Sequence, residues 1–532
     1  MWENWATCCV SLALSPRGLF QKRLAQPDSS HPPCTYSMMT QGVSKPIPCL
    51  VERVLSLCGT DESYGHSKIT TIYMLPDNVL LDIFDHYRIC NGPYLAEWKW
   101  HLLAQVCRRW RQIIYDSPRR LDIRILCANG TPIRKDLSIW PHFPIAIDYC
   151  FPREFIRPED EDVIAALEHP DRVCYVRLYG HPSPLEEVAT IMQKSFPVLE
   201  SLALHAVSSD GNASLSADFL GGSTPSLREI SLQFISFPAL PTLLSSTSDL
   251  VTLTLCRIPT TGYMSPEAMA TCLAALPRLK TFFLQFDSAT SLPSQINPPP
   301  TMRSILPALT DFNFHGSSQY LEDLLVRIDS PQLSQIAIFY QDQVDDPQVV
   351  QLSKFIDHSE GPKPVLSRHA RLTIFSDRVS FCLYSHPTSE SGFTRTVTLN
   401  EGIGWQRNRV VQILGQISSA SNIVHLKIEL EENHLLEDIG DVNWQHLLRT
   451  FSTIRTLHVS WNLSRRVALE LENIARGMYA GPLPSFDLIC FEPQPTPSIP
   501  NFVAARQLSG RPVTIIDTEA ELDERLKCYV SK

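Results

Sequence analysis

The sequence predicts an α/β protein in which a small helical module precedes a solenoid of parallel strands and helices. Two segments with apolar residues at helical spacing lie at Met74–Tyr87 and Trp100–Ile114. From residue 173 onward one short apolar template occurs ten times, with copies 23 to 32 residues apart outside a single interval of 90. A period of this length is typical of stacked supersecondary units, which bury a continuous core only when neighbours pack together.

Composition limits the classes of function. The 532 residues are enough for two or more domains. The 46 basic and 56 acidic side chains give a net charge of −10, which argues against a nucleic-acid-binding protein because phosphate contacts need positive charge. The 15 cysteines form no Cys-x-x-Cys pair, which favours reduced thiols in the cytoplasm or nucleus. No window holds the roughly 18 consecutive apolar residues that a membrane span requires, so no membrane partner is expected.

The chain divides into five segments. Residues 1–70 lack any period and are predicted to be a disordered N-terminal segment. Their apolar stretch WATCCVSLALSP has no basic residue before it, unlike a signal peptide. A helical module at 71–117 is followed by a linker with the first strands at 118–172, a repeat region at 173–495 and a C-terminal segment at 496–532.

The two helical segments carry more apolar surface than a short hairpin can bury. The apolar residues of the first segment share one helical face: Leu75, Val79, Leu80, Ile83 and Phe84. Those of the second also share a face: Leu102, Leu103, Val106, Cys107, Trp110, Ile113 and Ile114. A module of this size is close to the lower limit for independent stability. Either the flanking chain or a partner protein is therefore expected to cover it.

The order of these residues resembles the F-box, a small helical module that docks on the Skp-type adaptor of a cullin-RING ubiquitin ligase. The resemblance rests on Leu75-Pro76, Val79-Leu80, Ile83-Phe84, Val106-Cys107-Arg108-Arg109-Trp110 and Ile113. It implies adaptor contacts at Leu75, Pro76, Val79, Leu80, Ile83, Phe84, Val106, Cys107, Trp110 and Ile113. Leu75 to Trp110 spans 36 residues, several more than usual, so a longer loop is expected around Cys90 to Lys99. The run from Ser117 to Tyr149 is similar to the linker of a large group of fungal F-box proteins, with strands expected at 121–126 and 145–147.

Five arginines lie in or near the second segment: Arg108, Arg109, Arg111, Arg119 and Arg120. A basic patch on a helix-turn-helix would be one interpretation. Because the whole chain is acidic and no second basic cluster accompanies this one, a solvated face or local ion pairing is favoured.

The repeated template has apolar residues at positions 1, 4 and 6. Its copies are Val173-Val176-Leu178, Leu199-Leu202-Leu204, Leu227-Ile230-Leu232, Leu250-Leu253-Leu255, Leu279-Phe282-Leu284, Leu309-Phe312-Phe314, Leu333-Ile336-Ile338, Ile423-Leu426-Ile428, Ile454-Leu457-Val459 and Phe486-Ile489-Phe491. Positions 4 and 6 point to the same side of a short strand. The template resembles the core of the leucine-rich repeat. Helix-like stretches lie between the strands, as at 265–276, where Ser265 is a cap and Pro266 suits the first turn.

The fold expected from both resemblances is α/β, with an F-box module followed by an irregular leucine-rich-repeat-like solenoid. Position 9 of that repeat family is Asn or Cys, whereas this chain has Val207, Ile235, Ile258, Asp287, Ser317 and Gln341 there. The loss of the Asn ladder predicts an irregular arc. The interval of 90 residues has room for two cryptic repeats, with candidate strands at 379–385 and 395–399.

The leucine stripe is core, so a target would contact positions 2, 3 and 5 and the loops beside them. Residues on these strands and in the loops beside them include Glu200, Arg228, Glu229, Gln233, Lys280, Gln285, Asp311 and Gln335. We select Arg228, Glu229, Lys280 and Gln285 as candidate target contacts.

Local catalytic and ligand motifs are absent from the sequence. There is no phosphate-binding Gly-x-x-x-x-Gly-Lys loop, no Gly-x-Ser-x-Gly elbow and no His-x-x-x-His spacing, so neither cofactor nor metal is expected. The hypothesis that fits best is a non-catalytic substrate receptor that binds the Skp-type adaptor, the cullin scaffold and an unknown target protein. The alternative is a repeat-built protein-interaction scaffold with no ligase link. An enzyme whose site is assembled from distant residues is a third.

Overall fold

The computed structural model describes residues 74–90, 100–287, 303–340, 350–358, 369–384, 393–401, 423–430, 444–477 and 486–516, with shorter breaks inside several of these ranges. The N-terminal segment at 1–70 and the long loop expected around Cys90 to Lys99 lie almost wholly outside the described residues. The chain folds as two compact units, which divide between Ile123 and Arg124.

The first unit contains three described helices: α1 (Asp77–Cys90), α2 (Trp100–Val106) and α3 (Arg108–Asp116). The sequence predicted one helix over 100–114, and this is wrong at Cys107, where φ is −159° and ψ is 168°. The extended residue acts as the N-cap of α3, because its thiol accepts a hydrogen bond from the Trp110 backbone N–H at 3.4 Å. That capping bond satisfies a donor that an uninterrupted helix would have paired with a carbonyl.

The second unit contains helices that connect its strands. They are α4 (Arg134–Ile139), α5 (Glu161–Leu167), α6 (Pro182–Ile191), α7 (Leu240–Ser245), α8 (Pro266–Ala274), α9 (Ser318–Leu325), α10 (Val350–His358), α11 (Trp461–Ala475) and α12 (Pro500–Leu508). The predicted cap of α8 is confirmed, since the Ser265 hydroxyl accepts from the Ala268 backbone N–H at 3.2 Å and Pro266 opens the first turn.

Sixteen strands of the second unit form one sheet. They are β1 (Ile125–Ala128), β2 (Ile145–Phe151), β3 (Val173–Gly180), β4 (Ser201–Ala206), β5 (Glu229–Gln233), β6 (Thr252–Ile258), β7 (Thr281–Phe286), β8 (Asp311–Gly316), β9 (Gln335–Tyr340), β10 (His369–Ile374), β11 (Arg378–Tyr384), β12 (Phe393–Glu401), β13 (His425–Leu430), β14 (Thr456–Val459), β15 (Leu488–Phe491) and β16 (Thr514–Ile516). The sheet thus extends beyond the predicted repeat region of 173–495 at both ends, because β1, β2 and β16 pair with it.

Strands β1 to β9 lie in chain order, and each is parallel to the next. Positions 4 and 6 of the template are in register from strand to strand, as where Leu202 lies between Val176 and Ile230. Eight of these residues were predicted to be buried, and none is more than 4% exposed: Leu202, Leu232, Leu253, Leu284, Phe314, Ile338, Leu426 and Leu457. Stacking of one template side chain on the next therefore forms the core.

The described part of the 90-residue interval holds three strands rather than two cryptic repeats, so that prediction is wrong there in number and in direction. β11 is antiparallel to both β10 and β12, and the sheet order is β9, β12, β11, β10, β13. Only residues 375–377 separate β10 from β11. A parallel crossover needs a dozen or more residues, whereas so short a connection permits a hairpin. The two candidate stretches are strands, but they belong to an antiparallel meander.

Candidate partner-binding surfaces

The start of α1 is held in place by a side chain of α3. Arg109 Nη2 donates to the Leu75 carbonyl at 2.6 Å, and Arg109 Nε donates to Asp77 Oδ1 at 3.0 Å. The ion pair is largely exposed, so its contribution to stability is small, about 0–1 kcal/mol. Arg109 matters more for geometry than for stability. Two donors of its planar guanidinium fix the direction in which Leu75 and Pro76 lead into α1.

Four of the ten predicted adaptor residues form the interior of the first unit. Leu80, Phe84, Trp110 and Ile113 are buried. The rings of Phe84 and Trp110 meet edge to face with centroids 4.8 Å apart, which joins α1 to α3. These four side chains shape the module from within.

The other six adaptor residues lie at the surface. Leu75, Val79, Ile83 and Cys107 are half-buried, and Pro76 and Val106 are exposed. Leu75, Val79 and Ile83 follow one another at four-residue spacing and form one stripe that begins just before α1 and continues along it. Among the described residues this apolar face is only partly covered, and its use by a partner stays a prediction.

Two of the most exposed apolar side chains of the first unit lie at the ends of its helices. Met74 is 61% exposed and Val106 is 53% exposed. Sequence reasoning missed Met74, because it precedes the helix and has no place in the helical period. The Leu102 side chain lies outside the described residues.

The arginines near this surface are engaged locally. Arg120 pairs with Asp82, and Arg111 Nε donates to the Ala104 carbonyl at 2.9 Å. Together with the Arg109–Asp77 pair, these contacts support the predicted local ion pairing. Arg119 lies outside the described residues.

The second unit presents one open face of its sheet. In β4, β7 and β8 the side chains alternate strictly between buried and half-buried. Position 7 of seven template copies forms a row across this face, which we call the position-7 row: Tyr179, His205, Gln233, Cys256, Gln285, His315 and Phe339. The row contains no lysine, arginine or carboxylate. It is therefore a neutral strip made of aromatic and hydrogen-bonding side chains.

Neighbours in the position-7 row contact one another and nearby rings. The Cys256 thiol donates to Gln285 Oε1 at 3.0 Å. The His315 ring lies 5.1 Å from the Phe283 ring and 5.2 Å from the Phe339 ring, measured between centroids. Burial lowers the pKa of His315. Burial also lowers the pKa of His205, with a smaller effect of Arg177 in the same direction, and a lowered pKa favours the neutral imidazole at both positions.

The four predicted target contacts are not brought together. Arg228 and Lys280 are exposed and directly precede β5 and β7. The Val251 backbone N–H donates to the Arg228 carbonyl, and the Val251 carbonyl accepts from the Lys280 N–H. Glu229 begins β5 and accepts from the Ser201 hydroxyl at 3.2 Å. Gln285 lies near the other end of β7, in the position-7 row. Extending the template by one alternation beyond position 5 would have found that row in the sequence.

A charged and mostly covered cluster lies near the C-terminal end of the sheet. Lys427 Nζ lies 3.4 Å from Glu492 Oε1 and 3.7 Å from Glu429 Oε2. His458 Nε2 lies 3.3 Å from Glu492 Oε1. His458 and then Lys427 lower the pKa of Glu492 to about 2, although burial acts in the opposite direction. Glu492 also accepts from the Trp461 backbone N–H at 3.3 Å and so anchors the start of α11.

The described part of the chain shows neither a metal-ligating cluster nor an apolar helix of membrane-spanning length. No group of three or more His, Cys, Asp or Glu side chains there is arranged to hold a metal ion. Among the helices within the described ranges, none is long and apolar enough to cross a membrane.

The helical unit is similar to one known family. Residues 72–124 match the family model described as F-box-like, and α1, α2 and α3 lie within the matched range. No curated protein matches the chain. Domains of this family generally bind Skp-type adaptors of SCF ubiquitin ligases, and F-box proteins are generally non-catalytic.

Proposed function

We propose that this protein is the substrate-recognition subunit of a cullin-RING ubiquitin ligase of the SCF type. The observation that carries the proposal is the F-box-like match over residues 72–124, in a unit whose α1 displays an incompletely covered apolar stripe. An ordinary hairpin in water would be expected to bury such a stripe, whereas a docking module keeps it available for its partner.

The adaptor would contact the surface residues of the first unit. Those residues are Met74, Leu75, Pro76, Val79, Ile83, Val106 and Cys107. Leu80, Phe84, Trp110 and Ile113 act differently in this proposal, because their buried packing sets the angle between α1 and α3. Arg109 contributes by fixing the Leu75 backbone before the partner arrives, which lowers the entropic cost of binding.

The target would bind the second unit, which we interpret as an irregular leucine-rich-repeat-like solenoid. The in-register template and the parallel strands β1 to β9 support this interpretation. The position-7 row is the favoured surface, because aromatic side chains with half-exposed rings contribute strongly to protein interfaces. Arg228, Glu229 and Lys280 lie at the opposite ends of the strands and would flank that surface.

Ubiquitin transfer would be promoted by proximity. A receptor bound to both the adaptor and a target raises the effective concentration of target lysines near the charged conjugating enzyme. In this mechanism the chain supplies no reacting group and needs no cofactor. Cytoplasm and nucleus are the compartments in which the proposed assembly operates.

The test of the adaptor role replaces two residues of the apolar stripe. Val79→Glu combined with Ile83→Glu places charges where the adaptor would exclude water, so we expect at least about a tenfold loss of affinity for a purified Skp-type adaptor. Leu508→Glu is the matched control, since Leu508 is 90% exposed on α12. Equal binding by the double variant would contradict the adaptor role and favour the scaffold alternative.

The test of the target role uses the position-7 row. Quantitative mass spectrometry compares the proteins that are ubiquitylated in the presence of the full chain and of its Phe339→Glu variant. We expect specific proteins to lose ubiquitylation in the variant, while its affinity for the adaptor stays unchanged. Val207→Glu, at an exposed position after β4, is the control. An unchanged set of ubiquitylated proteins would place the target surface elsewhere.

A further inference from the structure

Helix α11 turns an unusual set of side chains to solvent. Trp461 is 55% exposed and Leu469 is 51% exposed, and Arg465 lies between them at the same four-residue spacing. Arg466 and, directly after the helix, Arg476 are also exposed. We call these five residues the α11 stripe: Trp461, Arg465, Arg466, Leu469 and Arg476.

The carboxylates of α11 are absent from this stripe. Glu470 and Glu472 are both buried. Glu472 accepts hydrogen bonds from the Asn501 and Phe502 backbone N–H groups at 2.9 and 3.1 Å, so it is used to cap α12. Glu470 lies 3.6 Å from Arg466. The outward face of α11 therefore combines positive charge with two large apolar side chains and carries no exposed acid.

The charge of the stripe is only partly compensated. Arg466 and Arg476 lie within 3.7 Å of Glu470 and Glu472. Arg465 makes no ion pair or hydrogen bond with any residue that the structure describes. In a chain with a net charge of −10, this local excess of arginine is a feature of one surface. It does not follow from overall composition.

The stripe is also held rigidly. Leu463, Val467 and Leu471 on the opposite side of α11 are fully buried in the core. The first backbone N–H of the helix donates to Glu492, which Lys427 holds in turn. A rigid surface loses little entropy on binding, and tryptophan and arginine are the residue types most enriched among the strongest contacts of protein interfaces.

We propose that the α11 stripe docks an acidic segment of another protein, one in which aliphatic side chains alternate with Glu or Asp. The aliphatic side chains would cover Trp461 and Leu469, and the carboxylates would pair with Arg465 and the adjacent arginines. Complementary charge selects the partner, and the apolar contacts supply most of the affinity. A nucleic acid would use the arginines but would leave Leu469 in water, so an acidic protein segment fits the stripe better.

The direct test uses the full chain and two synthetic peptides. One fluorescein-labelled peptide carries glutamates around a leucine stripe, and in the other every glutamate is lysine. We expect binding of the acidic peptide only, with affinity that falls as salt is raised. Trp461→Ala, Leu469→Ser and Arg465→Glu should each weaken it by at least about tenfold. Lys135→Glu, the same charge change at an exposed position of α4, should not.

Several results would overturn the proposal. Equal binding of both peptides, no binding of either, or unchanged affinity in Trp461→Ala and Arg465→Glu would each do so. Binding of a labelled oligonucleotide that depends on Arg465 would assign the stripe to nucleic acid. Self-association that Leu469→Ser abolishes would assign it to a second copy of this chain.

An occupant from the chain itself is distinguished in the same assay. Residues 431–443, EENHLLEDIGDVN, are acidic and contain aliphatic side chains. The test replaces the Glu and Asp residues of this segment by Gln and Asn. If the affinity of the full chain for the acidic peptide then increases, the segment competes for the stripe and the partner proposal is wrong. Thermal melting of each variant checks that the fold is intact, and unchanged adaptor binding separates this proposal from the proposed ligase role.

Discussion

Trp110 is the residue on which the first unit depends most. Its ring is buried against Phe84, and its backbone N–H completes the cap at Cys107. Removing a buried tryptophan side chain costs about 3–5 kcal/mol, which is a large share of the stability of a small domain. Trp110→Ala should therefore increase hydrogen exchange throughout α1 and α3 and abolish adaptor binding. Trp110→Phe, which keeps an aromatic ring, should do so far less.

The second unit provides the control for that prediction. Exchange in β4 to β9 should be unchanged in Trp110→Ala, because those strands have their own core of stacked template side chains. Loss of protection in both units would show that they unfold together and would contradict an independent docking module.

Glu492 gives the protein a pH dependence at the acidic end. Its folded-state pKa is about 2, below its ordinary value of 4.5, because His458 and Lys427 favour the carboxylate. A depressed pKa stabilises the fold above the ordinary value, and this contribution is lost as pH falls from 4.5 towards 2. Glu492→Gln should therefore lower the melting temperature most at pH 6 to 7. The difference from wild type should shrink as the pH approaches 3, and a constant difference would contradict the assignment.

Carboxylates on helices repeatedly accept backbone hydrogen bonds from the element about one repeat further along the chain. Glu186 accepts from the Ser214 backbone N–H, Glu322 from those of Gln351 and Leu352, and Glu472 from those of Asn501 and Phe502. All three acids lie on helices, and Glu322 and Glu472 cap the next helix, about one repeat further along the chain. Each pair of unpaired N–H donors at a helix start is thereby satisfied from the neighbouring element.

Removal of one such cap should be measurable. Glu472→Ala should destabilise the second unit by about 1 kcal/mol, the usual effect of losing an N-cap. Glu187→Ala, at an exposed position of α6, should change stability by much less. Urea denaturation followed by circular dichroism measures both, and an equal effect of the two substitutions would show that the cap is unimportant.

At the scale of whole elements, the sequence predicts those features whose physical signal lies within a short stretch of residues. The template strands were predictable because each copy contains the alternating apolar residues of the strand and the position 1 residue of the turn before it. Leu199, Leu202 and Leu204 are an example. The break at Cys107 was not, because a thiol cap is a weak signal beside a continuous apolar pattern. The meander at β10 to β12 was missed because its direction depends on a connection of three residues. Exposure of Met74 and burial of Leu80 depend on how α1 packs, which spacing alone does not specify.

At the scale of the molecule, the two units divide the proposed work. The first displays an apolar stripe for an adaptor, and the second displays the position-7 row and the α11 stripe for other proteins. Sequence reasoning found the first surface through a family motif. It named Gln233 and Gln285 of the position-7 row but not the row itself, which lies beyond positions 2, 3 and 5. It missed the α11 stripe, which becomes visible only once Glu470 and Glu472 are known to be buried.

Assembly with the ligase tests this account most directly. The 60.0-kDa full chain, a purified Skp-type adaptor and a cullin are mixed and separated by size-exclusion chromatography with light scattering. We expect one peak whose mass equals one copy of each protein, and we expect that the Val79→Glu, Ile83→Glu double variant elutes apart from the adaptor while Leu508→Glu remains in the complex. Elution of the wild-type chain alone, with the adaptor and cullin in a separate peak, would contradict the account.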